Sequence, residues 1–260
     1  MNYSDLFRLD GRKNMVIGSA SGIGRESALA LAAQGAHVIC ADRNVDGARE
    51  TQALIESAGG VADVVELDVL DSDAIYATAA NHPDLDTVVF TAATNVRKRL
   101  LDYSAGEYDR VVNLNMRSSF DLIRAFGANM VAQQRGSLIG FSSVRHLVTE
   151  PGQGVYGATK AATVQLLRTA AAEFGPAGVR ANAIAPGCVE TPLTDAIKAR
   201  PDWYDAYSAK SVFGRWARPS ELAGAVVYLA SDAATFVTGT VMYVDGGWTA
   251  VDGRFDPPTS

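Results

Sequence analysis

The sequence predicts an α/β fold: a doubly wound parallel sheet of about seven strands with helices on both faces. Three observations carry this. Short apolar runs alternate with helix-length amphipathic stretches along the chain. The runs are continuously apolar rather than alternating, as strands buried on both faces are. A glycine-rich turn, G-x3-G-x-G at Gly18, Gly22 and Gly24, links the first run to the first helical stretch. At 260 residues the chain is long enough for one large core, so a single domain over 1–260 is expected.

The elements follow in order. "NMVIGSA" reads as a buried strand and "GRESALALAAQG" as a helix ending at Gly35. "AHVICAD" is a second strand, and "VDGARETQALIESAGG" a helix closed by two glycines. "VADVVELDV", "DTVVFTAA" and "GSLIGFSS" are further strands. "YGATKAATVQLLRTAAAEFG" is a long amphipathic helix, and "VRANAIAP" and "TVMYVDGG" complete the strands. No internal repeat or linker interrupts the series. Residues 191–219 break its rhythm and concentrate Trp203, Tyr204, Tyr207, Phe213 and Trp216. An irregular aromatic excursion suits a lid over a substrate pocket; the other reading is a surface helix pair whose aromatics belong to the core. The tail, 249–260, carries a Pro-Pro pair and should continue neither strand nor helix.

Composition excludes several classes. Acidic residues outnumber basic ones, 29 to 23, for a net charge of −6, and the basic run Arg97-Lys98-Arg99 is short. Nucleic acid and anionic membrane surfaces are therefore not expected partners. No apolar run reaches membrane-spanning length, and "MNYSDLFRLDGRK" has no secretory signal pattern, so a cytoplasmic location is expected. Cys40 and Cys188 sit in apolar contexts and read as free buried thiols. No cysteine–histidine cluster has metal spacing, so no metal site is expected.

The glycine turn points to a phosphate ligand. A tight strand-to-helix turn needs residues without a β-carbon, and the helix N-terminus then offers backbone N–H groups to a pyrophosphate. Asp42 ends the second strand, 24 residues after Gly18. A carboxylate there accepts hydrogen bonds from a ribose 2′-hydroxyl and repels a 2′-phosphate, favouring NAD over NADP. The neighbouring Arg43 could instead serve a 2′-phosphate. Asp68, ending the third strand, either reaches an adenine amino group or caps a turn.

The chemical signal lies in "SSVRHLVTEPGQGVYGATK", residues 142–160. Tyr156 and Lys160 share one face of a helix. A phenol with an ordinary pKa of about 10 is a poor base at neutral pH, and a nearby ammonium stabilises its anion. The pair can then move a proton in an alcohol–ketone interconversion, with Ser143 at the preceding strand end holding the substrate oxygen.

These residues together resemble the short-chain dehydrogenase/reductase family, from Leu9 to about Trp248. The resemblance implies a Rossmann-like, NAD(P)-dependent oxidoreductase acting on CH–OH groups. It implies catalytic roles for Asn115, Ser143, Tyr156 and Lys160: Tyr156 as general acid/base, Lys160 lowering its pKa and holding the ribose, Ser143 positioning the substrate oxygen, Asn115 anchoring a water in a proton relay. Cofactor contacts are implied at Gly18, Ser21, Gly22, Ile23, Gly24, Asp42, Arg43, Asp68, Val69, Ala92, Tyr156, Lys160, Pro186, Gly187, Val189 and Thr191. The family's usual threonine before the first glycine is Ile17 here, and its Asn-Asn-Ala-Gly is "FTAA", residues 90–93. The family is typically a homotetramer, which is the expected assembly.

Substrate contacts are expected at Arg97, Ser143, Arg145, Tyr156 and Trp203. Arg145 and Arg97 lie at strand carboxyl ends, where ligands bind, and a guanidinium suits carboxylate, sulfonate or phosphate. A small polar substrate follows: a sugar, sugar acid or sulfonated sugar. The alternative for Arg145 is a pair with Glu150 in its own loop. His146 reads as a loop residue. Two other functions remain in view. A 3-oxoacyl-thioester reductase would share the catalytic set but favour NADP, and a non-catalytic nucleotide sensor would usually have lost Tyr156 or Lys160.

Overall fold

The computed structural model describes residues 3–251. In chain order it contains β1 (Lys13–Ile17), α1 (Gly22–Ala33), β2 (His37–Asp42), α2 (Val45–Ser57), β3 (Val61–Glu66), α3 (Ser72–Asn81) and β4 (Thr87–Phe90). These are followed by α4 (Ala105–Val112), α5 (Ser118–Ala132), β5 (Gly136–Phe141), α6 (Gly154–Phe174) and β6 (Val179–Pro186). Last come α7 (Asp195–Lys198), α8 (Pro201–Ser208), α9 (Ser220–Ala230) and β7 (Val241–Val244). The strands form one seven-stranded sheet, ordered β3-β2-β1-β4-β5-β6-β7, with every pairing parallel.

The continuously apolar strands are explained by two cores. Alternate residues of each central strand face opposite sides. Met15, Ile17, Ile39, Val88, Phe90 and Leu138 pack with α3, α5 and α6. Val16, Val38, Cys40, Val89, Ile139 and Phe141 pack with α1, α2 and α9. Burial on both faces leaves no position for a polar alternation. Helix starts are fixed locally: Asn44 accepts from Gly47 N, Asp71 accepts from Ala74 N, and Ser104 with Glu107 closes a reciprocal capping box on α4.

Residues 191–219, expected to be irregular, contain a short helical pair, α7 and α8. Trp216 is buried, stacks on Tyr204 at 5.1 Å, and donates Nε1–H to the Tyr204 carbonyl at 3.0 Å. The excursion is ordered around a buried indole because two short helices cannot hold themselves together by propensity alone. Of the predicted tail, residues 252–260 lie outside the described residues, and its first two close a 3-10 turn, Trp248–Ala250. Among the described residues no helix is long and apolar enough to cross a membrane, and no group of side chains has the make-up of a metal site.

Candidate active site

The sheet order reverses between β1 and β4, which opens a crevice at their carboxyl ends. The glycine turn borders it. Gly18 has φ +94°, and a β-carbon there would come within 2.4 Å of Thr91 Oγ1. A β-carbon on Gly24 would sit 1.9 Å from the Gly18 carbonyl oxygen. Both positions therefore require glycine, and the N-terminus of α1 lies open to the crevice. A cleft of about 400 Å³ runs from this turn past Asp42, Arg43, Asp68 and Val69. A second cavity of about 140 Å³ continues from it, sharing Ile23, Thr91, Ala93, Phe141, Thr191 and Leu193. Every residue expected at the cofactor lines one of these two spaces. An elongated dinucleotide fits this form: a glycine-walled helix N-terminus for phosphates between a carboxylate-bearing end and the catalytic end.

Asp42 is held by its surroundings. One carboxylate oxygen accepts from Ala20 N at 3.0 Å and the other from Asn44 N at 2.8 Å. This ties the glycine turn to the end of β2 and fixes the carboxylate at the cleft wall. Arg43 is exposed beside it. The two readings of Asp68 coexist: it accepts from Leu70 N at 2.9 Å to form a turn, and it lines the cleft.

The chemical end is assembled from the end of β5 and the start of α6. Ser143 follows β5 with extended backbone and accepts from Arg145 N at 3.2 Å, starting the 3-10 turn Val144–His146. Tyr156 and Lys160 come from the first turns of α6. Lys160 Nζ lies 5.7 Å from the Tyr156 ring centroid and donates to the Phe141 carbonyl at 2.8 Å. Ser143, Tyr156 and Lys160 all line the smaller cavity.

Burial is the first influence on both Tyr156 and Lys160. Burial pushes the Tyr156 phenol up; the Ser143 hydroxyl and the guanidiniums of Arg97 and Arg145 pull it back down. Burial also lowers Lys160 from its ordinary 10.5 to about 8. Burial likewise pushes the Cys40 and Cys188 thiols up to about 12, so neither is a nucleophile at neutral pH.

Asn115 lies in a π-helical turn, Asn113–Arg117, between α4 and α5, and is buried. Its amide oxygen accepts from Thr94 N at 2.8 Å, and its amide nitrogen donates to Thr94 O at 2.9 Å and to Thr159 Oγ1 at 3.1 Å. Both amide hydrogens are thus committed within the protein, and the side chain brackets the loop after β4 to α6. It lines neither space.

Arg97 and Arg145 both reach the smaller cavity, and Arg145 also pairs with Glu150, so the two alternatives for Arg145 hold together. The Arg145 side chain is only 9 % exposed, with its guanidinium 4.8 Å from the Trp248 ring. Trp203 lies elsewhere. It lines an outer cleft of about 600 Å³ beyond Arg145, Tyr207 and Trp248, and packs against Arg200 at 4.8 Å. His146 stacks on Tyr243 of β7, donating or accepting at 2.9 Å, away from both spaces. Sequence reasoning missed Asn95, Gln153, Tyr207 and Trp248, all of which line the smaller cavity. Tyr207 had a signal in the aromatic cluster and Trp248 in the terminal "YVDGGW"; Asn95 and Gln153 had none, being single polar residues in loops.

A family model described as Enoyl-(Acyl carrier protein) reductase matches residues 18–249. The chain is 37% identical to galactitol 2-dehydrogenase (L-tagatose-forming) of Cereibacter sphaeroides, over 96% of this chain and 99% of that one. It is 33% identical to gluconate 5-dehydrogenase of Gluconobacter oxydans, over 96% and 99%. The crystal structure of a gluconate 5-dehydrogenase from Burkholderia cenocepacia, in complex with NADP and tartrate, superimposes with a TM-score of 0.92 at 31% identity, covering 96% of this chain and all of that one.

Proposed function

The chain belongs to the short-chain dehydrogenase/reductase family, and on that premise we propose that it is an NAD-dependent dehydrogenase of a sugar or sugar-acid hydroxyl. It is an NAD(P)-dependent oxidoreductase acting on CH–OH groups. The observation that carries the substrate reading is the small cavity itself. Its lining joins Ser143, Tyr156 and Lys160 to Asn95, Gln153 and two arginines, a wall of donors and acceptors suited to a polyhydroxylated molecule. The relatives named for galactitol and gluconate support the same class. Preference for NAD rests on Asp42, whose fixed carboxylate would face a 2′-phosphate; the relative holding NADP makes this a point to measure.

The roles follow from position. A bound nicotinamide supplies the hydride acceptor. Ser143 Oγ holds the substrate hydroxyl, and Tyr156 Oη takes its proton as the carbinol C–H bond breaks and the C=O bond forms. Lys160 steadies the ribose and the developing phenolate. Asn115 is a positioning residue, holding the loop after β4 against α6 in register with Tyr156. The segment 191–219 acts as a lid through Leu193, Thr194, Ile197 and Tyr207, which line the cavity. We infer a soluble, cytoplasmic homotetramer with a small-molecule substrate.

A second reading, reduction of a 3-oxoacyl thioester, draws on the likeness to a 3-oxoacyl (acyl-carrier-protein) reductase from Agrobacterium tumefaciens, 30% identical with a TM-score of 0.88. One assay separates the two. NADH or NADPH production is followed with NAD and NADP in parallel against polyols, aldoses, aldonates, uronates, sulfonated sugars and 3-hydroxyacyl thioesters. Turnover of a sugar or sugar acid with NAD, abolished by Tyr156→Phe, is expected. Turnover confined to the thioesters would overturn the sugar reading.

A further inference from the structure

The smaller cavity is lined by Arg97, Arg145 and Lys160 and by no aspartate or glutamate. An acid, Glu150, is held against the two arginines. One Glu150 oxygen pairs with Arg145 and accepts from Gln153 Nε2 at 2.9 Å. The other accepts from the Tyr207 hydroxyl and lies 3.8 Å from Arg97 Nη1. Arg97 Nη1 also meets the Tyr207 hydroxyl at 3.1 Å. Glu150 therefore sits at the hub of the wall facing the catalytic residues, where two guanidiniums around one carboxylate leave a single net positive charge; the third cation, Lys160, stands on the catalytic side and donates to the Phe141 carbonyl. A guanidinium has five N–H donors in a fixed fork, and Glu150 takes only part of those of Arg145. A desolvated cation with spare donors is stabilised by an anion of matching charge.

Resting on the sugar or sugar-acid reading above, we propose that Glu150 is a specificity-determining residue: it trims the arginine wall to one net positive charge, and so selects a monoanionic polyhydroxy acid over a neutral polyol and over a dianion. The end of the substrate remote from the oxidised carbon meets Arg97 and Arg145. A dianion would bring its second charge against Glu150; a polyol would leave the wall uncompensated. Part of the field that lowers the Tyr156 phenol comes from the same two arginines, so an anion on the wall would also weaken that field and favour the protonated tyrosine. Glu150 keeps its place whichever substrate binds, because Gln153 and Tyr207 donate to it as well as the arginines.

The test is a charge ladder of six-carbon substrates: alditols, aldonates and aldarates, assayed for kcat/KM with wild type, Glu150→Gln and Arg145→Met, with 3-hydroxyacyl thioesters in parallel. Wild type should favour an aldonate over the matching alditol and aldarate by about tenfold or more, mainly through KM, the size of one charge-assisted contact. Glu150→Gln should raise the aldarate-to-aldonate ratio, and Arg145→Met should bring the aldonate-to-alditol ratio towards one. Wild-type preference for an alditol or aldarate would overturn the proposal without any variant, and so would ratios that neither variant moves. Turnover of several sugar classes without charge preference would leave the sugar reading standing and remove this one. Turnover of thioesters alone would remove both.

Discussion

At the scale of single residues, Lys160 is the clearest conflict between stability and chemistry. Its ammonium is buried, only 4 % exposed, and loses its proton near pH 8, where the unfolded chain holds it to 10.5. Between those values the unfolded chain binds more protons, so stability rises with pH across that window and is lower below pH 8. The cost at neutral pH is about 3 kcal/mol. Lys160→Met should thus be more stable than wild type at pH 7, with the advantage shrinking as pH rises from 8 to 10.5 in denaturant titrations, while turnover is lost. Tyr156→Phe should leave the melting temperature near wild type and lower kcat by about 10²–10⁴. Gly24→Ala drives a methyl into the Gly18 carbonyl; nucleotide binding, read by fluorescence titration, should fall together with stability. These residues differ in how legible they were. Tyr156, Lys160 and Ser143 show in the sequence because their chemistry needs those residue types at that spacing. Glu150 showed only as a possible partner of Arg145, because nothing in sequence says which donors will surround a carboxylate.

At the scale of elements, the segment holding α7 and α8 has the least support from its own helices, which span four and eight residues. Trp216 supplies what they lack, by stacking edge-on to Tyr207 at 5.9 Å as well as face-on to Tyr204. Trp216→Ala removes a buried aromatic and its hydrogen bond, a loss of about 3–5 kcal/mol at a well-packed site. The expected readout is local: faster hydrogen exchange over α8 and a raised KM, with amides of β1 and β4 unaffected. Uniformly faster exchange across the sheet would instead make Trp216 part of the global core. The long α6 was legible from its pattern, and so was its catalytic first turn. The π-helical turn at Asn115 was not, because one extra residue per turn leaves no mark on a hydrophobic period.

At the scale of the whole molecule, the sheet leaves β3 and β7 as its edges. Beside β7, Phe236 is fully exposed and Tyr243 is 39 % exposed; on another flank, Tyr108, Met116 and Phe120 are exposed on and around α4 and α5. A monomer gains nothing from such groups in water. The proposed homotetramer would cover them, and sedimentation should return a species of four chain masses at micromolar concentration, which Phe120→Glu should dissociate if that flank is an interface. A monomer with full turnover would discard the assembly and leave the chemistry intact.

The sequence by itself determined the layering, the strand set and the grouping of Ser143, Tyr156 and Lys160 at one end of the sheet, because hydrophobic period and local motif are written within a few residues of one another. It could not determine which loops meet. The pairing of Arg97 with Glu150 spans two connections from different strands, and Tyr207 and Trp248 join them from near the other end of the chain. Contacts of that range exist only once the sheet order has brought the carboxyl ends of β4, β5 and β6 side by side. The charge of the cavity wall is therefore a property of the tertiary structure and of no single stretch of sequence.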